Sequence, residues 1–448
     1  MCPILWNNCA VEDMGMGMGG TGDNRFMKKR TGKRRKMQCA AGMCLAVSLG
    51  LSGCGRMEKE LPEAEHAGAD SWEDEITIMH ADADNPNFTA YIDEVQERLQ
   101  MKINIQPYPV NADSRHAKVS FLLAAGDPSV DIFTVNDEMI NAYKNEGYLE
   151  PLQKDVMDAA SAQFFPQEYL KETTMVGDQI YSAPYMLDVL ALWVNEEWIK
   201  EAGLSGIESE EDFYRFLSHD WGEGRYAYGG SWEKTYVYNE LGEFINLFGG
   251  DYYDWENEKT RKAVRFFKEC IDCGYTPKEQ MIDQYEQMNQ KFIDGKYGMV
   301  CMYSGGIKTY TSAGMYGADK IHLAPLPNLG GNNVTYIGTW QYALNKASQN
   351  KEAAKRFISY AISKEGNRLY AEMVNVIPAR SDLLEENLDI TGYQELREFL
   401  KSVDVQARPI PANSMEYLET VGELFQEYML GEIDLESYCG KMQELVDQ

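Results

Sequence analysis

The chain has 448 residues, 44% hydrophobic and 25% charged, enough to bury a sizeable core and too long for a single one. Its formal net charge of -29 repels phosphate backbones, so nucleic acid is excluded as a partner and polyanionic ligands are disfavoured. An uncharged solute is indifferent to that field.

Residues Met1 to Phe26 fit no targeting pattern, and Met14 to Gly20 (MGMGMGG) is a low-complexity tract, so Met27 stands as an alternative start. A basic cluster from Lys28 to Lys36 precedes an apolar, small-residue run, Cys39 to Leu51 (CAAGMCLAVSLGL). That run is too short to span a bilayer and has the length of a signal-peptide core. It ends in Leu51-Ser52-Gly53-Cys54, which resembles the bacterial lipobox. Residues 1–53 are therefore expected to be leader and lipoprotein signal peptide. The Cys54 thiol is expected to carry diacylglycerol, and 54–74 to be a flexible linker to the outer face of the cell membrane. No later segment reaches the length of a membrane span.

The body opens with a strand, Ile76 to His80 (ITIMH), then a polar loop. A helix from about Phe88 to Gln100 follows, with Tyr91, Ile92, Val95 and Leu99 at helical spacing, and then a strand from Lys102 to Gln106. A helix stops at Gly126-Asp127-Pro128, Val130 to Val135 reads as a strand, and Glu138 to Glu146 as a helix. The alternation predicts an α/β fold with open, parallel sheets. Such sheets bind ligands at the carboxyl ends of their strands. That rule selects His80, Asp82 and Asp84 after the first strand, and Asn136 and Asp137 after the third. Helix capping competes for Asp84, Asn85 and Asp137.

LLAAGDPSVDIFTVNDEMINAYKNEGYLEPL (Leu122 to Leu152) resembles the signature of extracellular solute-binding proteins of family 1, the receptors of carbohydrate importers. Further motifs follow in the same order: YSAPYMLDVLALWVNEEWIKEAGL (Tyr181 to Leu204), NQKFIDGKYGMVCMYSGG (Asn289 to Gly306), LAPLPNLGG (Leu323 to Gly331) and VIPAR (Val376 to Arg380). Two family positions depart: Gln100-Met101 and Glu211-Asp212-Phe213 replace the usual Thr-Gly and Thr-Trp. The resemblance implies a two-lobed periplasmic-binding-protein-like fold of type II. Each lobe would be a mostly parallel sheet flanked by helices, with hinge strands between them. Lobe 1 is placed at 75–188 and 325–371, lobe 2 at 192–323 and 375–448. It further implies a monomeric ABC-importer receptor that closes on a sugar or oligosaccharide and passes it to permease transmembrane subunits, with no enzymatic step.

A sugar offers flat C–H faces to aromatic rings and a hydroxyl rim to carboxylates, amides and arginine. The rings selected are Trp340 in GTWQYA, Trp232 in GGSWEK, Tyr303 in CMYSGG, and Tyr185 at the crossover. The polar groups are Asp188, Asn136, Asp137, Asp82, His80 and Arg380. Trp193, Trp198 and Trp255 are assigned to core or surface, and Phe244, Leu247 and Phe248, at helical spacing, to core. Cys270 and Cys273 form a CxxC that reads as a helix end before Gly274, with a disulfide as the alternative. Asp82, Asp84 and Glu73 lack the spacing of a calcium loop, so no metal is predicted, and no cofactor. The rivals are a receptor for a polyamine or peptide, a secreted carbohydrate-active enzyme, and a sensory partner of a membrane kinase.

Overall fold

The computed structural model describes residues 72–109, 112–411 and 414–447. The leader, Cys54 and most of the expected linker lie outside the described residues.

The predicted β-α-β unit is present as β1 (Asp74–His80), α1 (Pro86–Leu99) and β2 (Met101–Pro107). Asn85 starts α1: its side chain accepts the Asn87 N–H, and Pro86 occupies the first turn, where a missing N–H loses nothing. The helix buries Phe88, Tyr91, Ile92 and Val95 and ends on Gln100, in the left-handed conformation at φ 50°. β1 pairs in parallel with β2 and with β3 (Ile132–Asn136). Helices α2 (Ala112–Ala124) and α3 (Asp137–Asn145) flank β3 in sequence. Beyond β3 the sheet is mixed. The return strand (Val334–Leu344) runs antiparallel to β3 and to the crossover strand (Ala183–Asn195). The crossover strand continues antiparallel to Tyr297–Tyr303 and Ile321–Ala324.

Two large apolar cores flank this joint. One gathers β1, β2, α1 and helix Lys351–Ala361. The other gathers helices Val237–Phe248, Glu258–Asp272 and Ser414–Leu430. The crossover strand serves both: Ala183, Tyr185 and Met186 pack into the first, and Leu187 to Val194, apart from Asp188, into the second. Leu326, Leu329, Tyr336 and Ile337 also pack with the second core, so the packing changes hands inside the return strand rather than at residue 325.

Strands buried on both faces read as continuous apolar runs, and here the interruptions are informative. Asp188 is the one residue of the crossover strand that is not buried, and Trp340 the one of the return strand. In β3 it is Asn136; in Tyr297–Tyr303 it is Met302 and Tyr303. Among the described residues no helix is long and apolar enough to cross a membrane. The CxxC lies at a helix end: Cys273 caps Glu258–Asp272 through its N–H to the Glu269 carbonyl, and Gly274 follows at φ 72°.

Candidate functional site

Those interruptions converge. Asn136, Asp188, Met302, Tyr303 and Trp340 all line one cavity of about 260 Å³ beside the joint, together with Arg115, Glu138, Tyr236, Asn239 and Tyr285. Its walls come from both sides, α2 and α3 on one and helix Val237–Phe248 on the other.

Backbone irregularity shapes the Trp340 wall. The pairing of the return and crossover strands shifts register between Trp340 and Gln341. Such a bulge re-aims a side chain at a strand surface. The Trp340 ring lies 6.5 Å from that of Tyr108, with the Arg115 guanidinium 5.5 Å from its centroid. Opposite, the Tyr236 and Tyr285 rings meet edge to face at 4.7 Å. Tyr303 lies over Gly338, where a Cβ would come within 2.7 Å of the ring, so only glycine admits this approach. Its hydroxyl donates to Asn239 Oδ1 at 2.9 Å.

Asp188 Oδ1 accepts from Ser304 Oγ at 2.6 Å and from the Gly305 N–H at 2.7 Å. A Cβ at Gly305 would sit 2.8 Å from the carboxylate, so this glycine makes room for Asp188 rather than for a ligand. Burial raises the Asp188 carboxyl to about 6, against the hydrogen bonds from Ser304 and Gly305.

The model of the bacterial extracellular solute-binding protein family matches residues 90–397, well over half of the chain. The chain belongs to that family. A galactooligosaccharide-binding protein of Bacillus subtilis is 22% identical over 363 residues, 77% of this chain and 80% of its own. A maltooligosaccharide ABC transporter solute-binding lipoprotein of Streptococcus pneumoniae is 20% identical over 372 residues, 78% of this chain and 82% of its own. Maltose-bound MalE3 of T. maritima superposes with a TM-score of 0.72 at 17% identity, covering 83% of this chain and 99% of that one, which shows the shared fold.

In this solute-binding protein the structure places Asn136, Asp188, Tyr303 and Trp340 in the cavity wall and takes the other sequence candidates out of it. Asn136 also caps α3, its Oδ1 accepting the Met139 N–H. Trp232 is a correction: it is fully buried in the second core, 5.3 Å from Phe267, and its Nε1 donates to Glu240. The polar neighbours of Trp232 in sequence mark a buried hydrogen-bond cluster, not a cleft. His80 and Tyr185 are buried in a ring cluster of the first core. His80 stacks on Phe88 at 3.9 Å and Tyr185 on Tyr342 at 4.4 Å. Burial lowers His80 to about 4, so it is neutral, and its Nδ1 accepts the Asp82 N–H. Asp82 is held by the Tyr370 hydroxyl and lies 3.4 Å from Lys308. Arg380 is locked on Asp382 at 2.9 Å and over the Phe164 ring at 4.1 Å. Asp137 is buried against Tyr169 and Arg408.

Sequence reasoning missed Arg115, Tyr236, Asn239, Tyr285, Glu138 and Arg408. Arg408 carried one faint signal, a lone cation before Pro409 in an otherwise acidic and apolar segment. Tyr236 and Tyr285 sit among so many tyrosines that nothing distinguishes them.

Proposed function

We propose that this protein captures an uncharged sugar or oligosaccharide in the cleft beside the crossover and return strands and delivers it to an ABC importer. One observation carries the reading. Strands that are otherwise buried throughout break their burial at one or two positions, and those positions present an indole, a phenol, an amide and a carboxylate to one cavity. Rings for the faces and acceptors for the hydroxyls are what a sugar requires. The named sugar specificities of the Bacillus and Streptococcus relatives support the same class.

The two-lobe division, with strands crossing between separate cores, supplies a hinge: ligand contacts with both walls favour the closed state, and the permease reads closure. The lipobox at Leu51 to Cys54 puts this receptor on a diacylglycerol tether outside the membrane, in keeping with the lipoprotein name of the Streptococcus relative. Calorimetry and small-angle scattering with galactose, maltose and maltotriose test the core of the proposal. Saturable heat with compaction, and sugar recovered unchanged, is expected. Silence across the panel, or hydrolysed product, would overturn it. Mass spectrometry of the detergent-extracted protein tests the tether, with a diacylglyceryl adduct expected on Cys54 and none on Cys54→Ser.

A further inference from the structure

We propose that Glu138, fixed by Arg408, is a built-in hydrogen-bond acceptor for the solute, so that the cleft selects hydroxyl donors and rejects the carboxylate-bearing counterpart of the same sugar. This rests on the reading of the cleft as a sugar site and adds a rule of selection to it.

Arg408 borders the cavity, and a cation there would ordinarily invite an anionic ligand. Its geometry shows that the charge is already taken. Nε donates to Asp137 Oδ2 at 3.2 Å, and Nη2 lies 3.0 Å from the same oxygen. Nη1 reaches Glu138 Oε1 at 2.7 Å, Asn239 Oδ1 at 2.7 Å and the Tyr303 hydroxyl at 3.0 Å. Every guanidinium nitrogen is engaged, the side chain is 4% exposed, and one cation faces two carboxyl groups. An arginine that bridges two carboxyl groups in this way is a buried strut, and breaking it would strand charge.

Glu138 is the part of this network left incomplete. Its side chain is 9% exposed and it lines the cavity. Oε1 accepts from Arg408 and, at 3.2 Å, from the Tyr238 hydroxyl. Oε2 is buried and takes no hydrogen bond from the described residues. Burial is the largest influence and opposes the charge, but the attraction and hydrogen bond of Arg408, with His116 near by, together hold the carboxyl below its usual range, so the free oxygen is anionic. The Ser414 hydroxyl pins the Glu138 carbonyl at 2.6 Å, which fixes the backbone as well. A buried anionic oxygen without a donor is destabilising, and a ligand hydroxyl relieves that while a ligand carboxylate aggravates it. Sites built to receive a specific polar group discriminate strongly against analogues that cannot supply it. Arg115, the other arginine on the cavity wall, lies part-exposed over Trp340 and is the group through which the opposite preference would arise.

The test is calorimetry on the leaderless protein with galactose, maltose and maltotriose, and with galacturonate and the 6′-uronic acid of maltose as the acid counterparts of the first two. The acids should bind at least about 30-fold more weakly than the neutral sugars. Glu138→Gln, checked by its melting curve, should weaken neutral binding by about 10-fold or more and narrow the gap to the acids. Should that variant not fold, monodeoxy analogues of the tightest neutral sugar give the same readout on the wild type, one of them losing about 10-fold. An acid that binds as well as its neutral parent overturns the rule, as does a folded Glu138→Gln with unchanged affinities, or a full deoxy series without a loss. If no sugar gives heat, the capture reading itself fails and this one with it.

Discussion

The crossover and return strands have two faces, and each borders a cavity. On one face Asp188 and Trp340 look into the cleft of about 260 Å³. On the other, Leu187, Val189 and Ile337 line a groove of about 1060 Å³, with Tyr252 and Tyr253 at its side. The larger space is the less organised. The floor that these two strands give it is apolar, and polar residues such as Asn246, Asp251 and Gln406 stand around it. The smaller one is walled by polar groups whose orientations are fixed by buried partners, as Ser304 and Gly305 fix Asp188 and as Asn239 and Arg408 fix Tyr303. Volume alone would choose the wrong face; convergent, pre-oriented polar atoms choose the cleft.

If the division is right, substitutions in the cores and on the groove side should move stability, and those in the cleft should move affinity. The largest effect is expected from Trp232→Ala, which empties a fully buried site beside Phe267 and Phe425 and removes one of the donors to Glu240. Denaturant titration should show a loss of about 3–5 kcal/mol or more, with sugar affinity of the folded fraction unchanged. The next comes from Glu243. Its buried carboxyl bonds the return strand at Thr335 Oγ1 (3.2 Å) and the Tyr336 N–H (3.3 Å), and burial raises it to about 8. A raised folded-state value means the native protein holds a proton that the unfolded chain, at about 4.5, has released. That stability is therefore fully present below about pH 4.5, declines as pH rises, and is gone above about 8. Unfolding free energy should fall by a few kcal/mol across that window, and Glu243→Gln should flatten much of the decline. A residual slope of the same sign remains, because Glu240 is also raised by burial, to about 7.

The same contrast explains what could be read from sequence. The first three strands and their helices were legible within a few residues, because β1, β2 and α1 carry strict periodicity and α1 a clean Asn85-Pro86 start. The mixed direction of the sheet was not, since a strand buried on both faces looks alike whichever way it runs. Strand-end and motif reasoning chose Asn136, Asp188, Tyr303 and Trp340, which the fold brings to one cavity wall. It also chose His80, Tyr185 and Trp232, because a ring or imidazole after a strand looks the same whether it meets solvent or a stack such as His80 on Phe88. Arg408 escaped because its role depends on Asp137 and Glu138, some 270 residues earlier, which only the tertiary fold brings together.

Smaller effects separate the two faces most sharply. Trp340→Ala should weaken sugar binding by about 30-fold, the loss of one well-packed ring, with little change in melting because the indole is part-exposed. Asp188 should act through pH. Its carboxyl titrates at about 6, and the ionised form is the stronger acceptor, so affinity for a neutral sugar should drop several-fold from pH 7 to 5 and Asp188→Asn should abolish the dependence. The smallest effect is the most diagnostic. Tyr253, 60% exposed beside the groove, is the most accessible ring there and the one a groove-bound sugar would meet. Tyr253→Ala should change maltose affinity by less than about twofold, since an exposed ring with no ligand on it contributes little. Were it instead to match Trp340→Ala, the assignment of faces would be inverted: the solute would lie against Leu187 and Val189, and Asp188 and Glu138 would be no more than the polar struts of a joint.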